Sequence, residues 1–322
     1  MSIIVFSENR IGKIKKQSLE AVAYATYISK NNSKPVIAIS VGNVNNDELA
    51  VLAKYGASKI ISITDSNWQN HDSQAYTKLI AEIVEKESAD TIIFSHSNMG
   101  KAIAPRLSVR LKAGLASNVL ALPLSYSPYV FKRKSYNGNA FQQMKIKSQK
   151  CVITINPNSC DLVESPVSVN ITDFTPTTVA NAATKVENID LITGKILLTE
   201  ASVVVSGGRG LKSSDNWKPL EELAEVLGAG LACSRPVSDE GWRSHEEHVG
   251  QTGKIIAPDL YFAVGISGAI QHIGGISGSK VIVAINKDKD APIFSYANYG
   301  ILGDAFDVLP KLIESVKKFK SA

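Results

Sequence analysis

The strongest constraint in this sequence is an alternation. Short, nearly continuous apolar runs recur, each followed by a stretch with helical spacing of its apolar residues. "IIVFS" (3–7) precedes "QSLEAVAYATYISK" (17–30), and "PVIAISVG" (35–42) precedes "NDELAVLAKYG" (46–56). "KIISIT" (59–64) precedes "AYTKLIAEIVEKE" (75–87), and "TIIFSH" (91–96) precedes "KAIAPRLSVRLKA" (101–113). A strand that is apolar at every position has both faces buried, which happens in parallel sheets covered by helices. Asn46 or Asp47 is placed to cap the second helix and Gly56 to end it.

From about 117 to 172 the rhythm changes. "YVFKRKSY", "AFQQMKIK" and "CVITINP" follow one another closely, and "NGN" (137–139) between the first two is a hairpin signal. This predicts an antiparallel edge. The segment 173–195 is polar and aperiodic and reads as an interdomain linker. The alternation then restarts. "ASVVVSGGRG", "AGLACSR" (229–235), "LYFAVGISG" (260–268) and "KVIVAIN" (280–286) read as strands, with a fifth somewhere in "APIFSYANYG" (291–300). "WKPLEELAEVLG" (217–228) and "DAFDVLPKLIESVKKF" (304–319) read as helices. The expected class is α/β with two doubly wound parallel-sheet domains. The first is a nucleotide-hydrolase-like α/β domain with its linker over 1–195, read as a partner-docking platform because it lacks a phosphate motif. The second covers 196–322. A length of 322 residues accommodates both.

Composition excludes several classes. With 44% hydrophobic and 20% charged residues the chain is globular. The net charge of +5 is small, and the basic residues are scattered apart from "FKRK" and "KKFK". No stripe of charge with interleaved aromatics suggests nucleic acid. No apolar run reaches the roughly 18–20 residues that span a bilayer, and "MSIIVFSENR" has no basic leader. These features predict a cytoplasmic protein without membrane insertion. Cys151, Cys160 and Cys233 have the odd count and irregular spacing of reduced thiols, not of a disulfide framework or a metal site.

In open parallel sheets, ligands lie beyond the carboxyl ends of the strands. In the second domain those ends carry glycines, hydroxyls, amides and two arginines: "SGGRG" with Arg209, "CSRPVSDEGW" with Ser234 and Arg235, "HVGQTGK" (248–254), "GISGAIQH" (265–272) and "NKD" (286–288). Glycine lets backbone N–H groups approach a phosphate. Together these describe a cleft for an anionic dinucleotide. Singly each is weak. "SGGRG" is not G-x-G-x-x-G, and "VGQTGK" lacks the spacing of a P-loop. "HEEH" (245–248) lacks the i, i+4 histidines of a zincin. No nucleophile stands beside a base, so the cofactor itself is expected to be the reactive part. Gln271 and His272 raise a question of their own. They sit side by side in what reads as a short, buried apolar segment, where polar groups need partners.

The blocks "SGGRGLKS", "SRPVSDEGW", "VGQTGKIIAPDLYFAVGISGAIQH" and "SKVIVAINKDKDAPIFSYANYGILGD", in this order, resemble the C-terminal FAD domain of the electron transfer flavoprotein alpha subunit. The resemblance covers about 200–322 closely and the first half in pattern and length. It implies a heterodimer with an electron transfer flavoprotein beta subunit and one FAD in this chain. Electrons would come from dehydrogenases, often the acyl-CoA dehydrogenases of fatty acid beta-oxidation, and pass to a quinone oxidoreductase. It also implies site roles. Arg209 and Ser234 line the cofactor and Arg235 lies over the flavin ring. Val249, Gly250, Gln251 and Thr252 wrap it, with the Thr252 hydroxyl near N5. Ser267, Gly268, Ala269, Ile270, Gln271 and His272 run along the ribityl–pyrophosphate region, with His272 facing the flavin O2. Asn286, Asp304 and Ala305 belong to the adenosine end. On this reading Gln271 and His272 are polar because they bond the flavin, and Arg235 and His272 raise its potential. Pro236 and the acidic "SDE" depart from the family's common pattern beside Arg235, and Ala305 stands where leucine is common. The expected role is an electron carrier rather than an enzyme with its own substrate. The alternative is a self-contained FAD- or NAD-dependent oxidoreductase, which would need acid–base groups in a substrate pocket.

Overall fold

The computed structural model describes residues 1–68, 72–136, 140–178, 186–188 and 196–321. The chain divides into two compact units, Met1–Asp190 and Leu191–Ala322. Each is a mixed α/β layer structure built on a largely parallel sheet.

In the first unit the strands longer than two residues are β1 (Ser2–Ser7), β2 (Val36–Val41), β3 (Lys59–Ile63), β4 (Ala89–Ser95), β5 (Gly114–Val119), β6 (Tyr129–Ser135), β7 (Ala140–Lys145), β8 (Cys151–Ile155) and β9 (Asn170–Asp173). Among the described residues they pair in the order β7-β6-β5-β8-β4-β1-β2-β3-β9. The helices are α1 (Lys16–Asn32), α2 (Asn46–Lys54), α3 (Ser73–Lys86) and α4 (Asn98–Arg110). Helices α1 and α2 bury Tyr24, Ile28, Leu49 and Leu52 on one face of the sheet. Helices α3 and α4 bury Leu79, Ile80, Ile83 and Leu107 on the other. Covered faces are why β1, β2 and β8 are buried at every position. The cap of α2 is Asn45, whose side chain accepts from Glu48 N, one residue before the expected position.

Two expectations change here. The antiparallel edge exists, but it is made by β6, which pairs antiparallel with β7, with the two-residue strand Ser125–Tyr126 and, at Val119, with β5. The "CVITINP" strand does not belong to it. β8 lies inside the sheet, parallel to both β4 and β5. The "NGN" signal lies outside the described residues. The segment read as a linker also starts later than expected. Asp173 closes β9, which runs parallel to β3. Thr177 and Thr178 then bond Glu82 of α3 through their backbone N–H groups (2.8 and 3.0 Å). Four donors from these threonines hold the Glu82 carboxyl down to about 2 against the upward pull of burial. Residues to 178 therefore belong to the first unit.

The second unit has β10 (Val203–Gly207), α5 (Lys218–Leu227), β11 (Gly230–Cys233), α6 (Arg235–Asp239), β12 (Leu260–Val264), α7 (Ile270–Ile276), β13 (Val281–Asn286), β14 (Tyr299–Leu302) and α8 (Ala305–Ser321). The fifth strand, expected somewhere in 291–300, starts only at Tyr299, because Pro292–Ser295 forms a single 3-10 turn. The sheet order is β11-β10-β12-β13-β14, and every pairing is parallel. In α5 the apolar residues Leu220, Leu223, Ala224 and Leu227 follow helical spacing. They pack with Leu309 and Ile313 of α8 on one face of the sheet. Ile273 and Ile276 of α7 cover the other.

Candidate functional site

A wholly parallel sheet brings all its carboxyl ends to one edge. Gly207 stands opposite Cys233 and Val264, Val264 opposite Ile285, and Asn286 opposite Leu302. The segments that follow the strands therefore share that edge. Chain order places β10 centrally, with β11 on one side and β12 on the other, so the connections leave in opposite directions and a crevice opens between them. Its floor is backbone. Gly208 N donates to Val264 O (2.9 Å) and Gly210 N to Gly265 O (3.0 Å). A Cβ on Gly208 would fall 2.3 Å from the Gly265 carbonyl oxygen, so this crossing excludes side chains.

Two arginines stand at this edge. Arg209 follows Gly208, and Arg235 opens α6 directly after buried Ser234, whose backbone N–H donates to Gly207 O (3.0 Å). The two arginine side chains are 67% and 60% exposed. Arg235 Nε donates to Asp239 Oδ2 (3.2 Å), and Arg209 Nη1 lies 3.7 Å from Glu240 Oε1. Exposed pairs of this kind contribute about 0–1 kcal/mol. Both guanidiniums are therefore held loosely and can turn to a stronger anion. The acidic "SDE" thus supplies the partners of both arginines.

The 249–254 loop packs between β11 and α7. Val249 N donates to Cys233 O (3.0 Å), Lys254 N to His248 O (2.9 Å) and Gln251 N to Gln271 O (2.9 Å). These bonds bury Val249 and Gly250 and leave Gln251 and Thr252 exposed. The strand-to-helix turn before α7 is held by Ile293 N, which donates to Ser267 O (2.9 Å). Gly268 has φ +87, and a Cβ there would lie 2.5 Å from Ile293 N, so the turn needs glycine on two counts. Ser267, Ala269, Ile270 and Gln271 are exposed, Ile270 at 57%. The segment is therefore not uniformly buried, and Gln271 faces solvent because it lies on the outer side of the first turn of α7.

His272 is different. It is 6% exposed, and its Nε2 lies 2.9 Å from Tyr261 Oη. Its Nδ1 is buried with no hydrogen-bond partner among the described residues. Burial pushes the imidazole down to about 4; the Val249 backbone pulls the other way, and His248 adds to the depression. The ring is neutral at pH 7.

Asn286, Asp304 and Ala305 are spent on the fold. The Asn286 amide donates to Ile266 O (2.9 Å) and accepts from Asp288 N (3.0 Å), bracing the end of β13 against the 265–269 turn. Asp304 accepts from Phe306 N (3.0 Å) at the start of α8, and Ala305 is buried. Sequence reasoning missed Tyr261 and the Glu240–Arg209 pair. A phenol in an otherwise apolar buried strand was the available signal for the first, since a buried hydroxyl requires a partner.

Comparison with known proteins covers both units. Residues 3–190 match the electron transfer flavoprotein domain, and residues 197–277 match the electron transfer flavoprotein FAD-binding domain. An electron transfer flavoprotein subunit alpha from Bacillus subtilis is 37% identical over 98% of this chain and 97% of its own length. One from Syntrophomonas wolfei is 36% identical over 98% of both chains. A probable mitochondrial one from Cryptococcus neoformans is 35% identical over 99% of this chain and 93% of its own length. The geometry fits an FAD. Two loosely held guanidiniums suit an anionic cofactor, a side-chain-free floor admits close approach, and a buried imidazole nitrogen lacks a partner among the described residues.

Proposed function

Since the chain belongs to the electron transfer flavoprotein alpha-subunit family and its second unit is that family's FAD-binding domain, we propose that it works as the FAD-bearing half of a heterodimer with a beta subunit. In this reading it accepts electrons from soluble dehydrogenases, such as acyl-CoA dehydrogenases, and delivers them to a quinone oxidoreductase. It acts in the cytoplasm and turns over no substrate of its own. The observation that carries the reading is the edge of the second sheet, where Arg209, Arg235, the 249–254 loop and the 265–272 turn meet over a backbone floor.

The bound flavin supplies reversible electron uptake, and this chain's residues hold and tune it. Arg209 exchanges its loose contact with Glu240 for the pyrophosphate, and exposed Ser267 and Ala269 lie beside that path. Ser234, Val249 and Gly250 shape the buried wall. Gln251 and Thr252 present an amide and a hydroxyl to the ring's edge, while Ile270 and Gln271 line its approach. Arg235 would bring positive charge to the flavin ring and stabilise negative charge there. His272 offers a hydrogen-bond donor from a dry position, where such a donor acts more strongly than in water. Asn286, Asp304 and Ala305 fix the end of the sheet on the adenosine side.

The test is to purify the chain with its genomic neighbour and record the visible spectrum during reductive titration. One FAD per heterodimer, reducible by an acyl-CoA dehydrogenase with its substrate, is the expected result. A heterodimer that takes up no added FAD would overturn the reading, and a second flavin would assign it to a bifurcating complex.

A further inference from the structure

Tyr261 lies on β12, fully buried behind the turn that leads into α7. Its hydroxyl has one partner within hydrogen-bond geometry, His272 Nε2 at 2.9 Å. Ser206, the other polar side chain near the phenol, has its own hydroxyl oxygen without a hydrogen-bond partner. Burial raises the phenol far above its ordinary range, so it keeps its proton. A buried O–H must find an acceptor, and among the described residues Nε2 is the one within hydrogen-bond geometry, Ser206 Oγ lying near but outside it. Nε2 can accept only if it carries no hydrogen. In a neutral imidazole the proton then sits on the other nitrogen. That nitrogen, Nδ1, is the one left buried and unpartnered. The two rings are also in contact, with centroids 6.1 Å apart.

We propose that Tyr261 is a positioning residue: its hydroxyl locks His272 in the Nδ1–H tautomer, so that the ring meets the flavin as a donor and never as an acceptor. This rests on the reading that His272 faces the cofactor. The donor suits a flavin carbonyl, an acceptor that strengthens as the ring gains electrons. An Nε2–H tautomer would turn a lone pair toward the same oxygen and repel it. Tyr261 thereby acts on the flavin without touching it.

The test compares four reconstituted heterodimers: wild type, Tyr261→Phe, His272→Ala and the double variant. FAD dissociation constant, flavin midpoint potential and thermal midpoint are measured for each, with side-chain 15N NMR of His272 in the wild type and in Tyr261→Phe. Phenylalanine keeps the packing and removes only the hydroxyl. In the wild type the 15N shifts should report hydrogen on Nδ1, and in Tyr261→Phe a mixture. Tyr261→Phe should weaken FAD about fivefold, the scale of one neutral hydrogen bond, and lower the potential. In the His272→Ala background the same change should leave both unaltered, although the thermal midpoint still falls. Wild-type hydrogen on Nε2 would overturn the inference, and so would a Tyr261→Phe loss that persists in full without His272. If His272→Ala itself leaves affinity and potential at wild-type values, what fails is the placement of His272 at the flavin. The NMR result then still decides the tautomer.

Discussion

Half-buried His96 and buried His272 carry the same perturbation for the same reason: the fold takes each ring out of water. His96 follows β4, and its Nδ1 lies 2.8 Å from Thr154 Oγ1 of β8. Burial pushes it from 6.5 to about 4, and the nearby Lys101 and Arg133 cations add to the effect. The sign follows from proton counting. Between the unfolded value near 6.5 and the folded value near 4, the unfolded chain binds a proton that the folded chain refuses. The histidine's contribution is complete above pH 6.5, declines as the pH falls, and is gone below about 4. A shift of this size corresponds to roughly 3 kcal/mol. His96→Gln, with Thr154 still in reach of the amide, should flatten this limb in the first unit. Urea midpoints at pH 7 and 4.5 measure it, with wild type losing more than the variant. Equal losses would mean that His96 is already charged in the folded state. Neither partnership was legible in the sequence. His96 read as the end of a strand, and nothing local to it names Thr154, 58 residues away, as its neighbour.

At the scale of elements, the existence of strands and helices was legible because periodicity is a local property of the chain. The signal for β1, β2, β10 and β12 is a nearly continuous apolar run, and each forms where its run lies. Neighbours are not a local property. By spacing alone "CVITI" groups with the hairpin strands before it, yet β8 is buried at every position between β4 and β5. The apolar run is the better guide, since a strand at the edge is exposed along most of its length, as β7 is. This distinction has a measurable consequence. Ile153 is 0% exposed in the middle of β8, so Ile153→Ala should cost about 2–5 kcal/mol through lost transfer energy and the cavity left behind. Met144→Ala on β7 removes a comparable volume from a half-buried site and should cost less than about 1.5 kcal/mol. Denaturant midpoints separate the two, and similar losses would place β8 at an edge after all.

Across the whole molecule, one architecture appears twice with opposite outcomes at the carboxyl edge. In the second unit that edge carries two exposed arginines over a glycine floor. In the first unit the equivalent crevice lies between β1 and β4, and the chain fills it with its own anion. Glu8, directly after β1, is 5% exposed. Its carboxylate accepts from the Ser97 hydroxyl and lies 3.3 Å from Lys15 Nζ. Ser97 caps α4 by accepting from Gly100 N (3.0 Å). A carboxylate beside a helix N-terminus takes the position that a ligand's phosphate would otherwise hold. The absence of a phosphate motif in the first half was visible in sequence, but Glu8 as the reason needed the fold. The consequence is that FAD should stabilise one unit and ignore the other. A ligand at 100 times its dissociation constant adds about 2.7 kcal/mol to the state that binds it, close to a hundredfold slowing of amides that exchange by opening the site. Hydrogen exchange of the heterodimer, stripped of FAD and then resupplied, should show that slowing in 207–212, 249–253 and 265–272. Segments 7–18 and 95–101 should exchange at unchanged rates. Protection at 7–18 on adding FAD would mean that Glu8 gives way to a ligand, and that the first unit is a second nucleotide site rather than a docking platform.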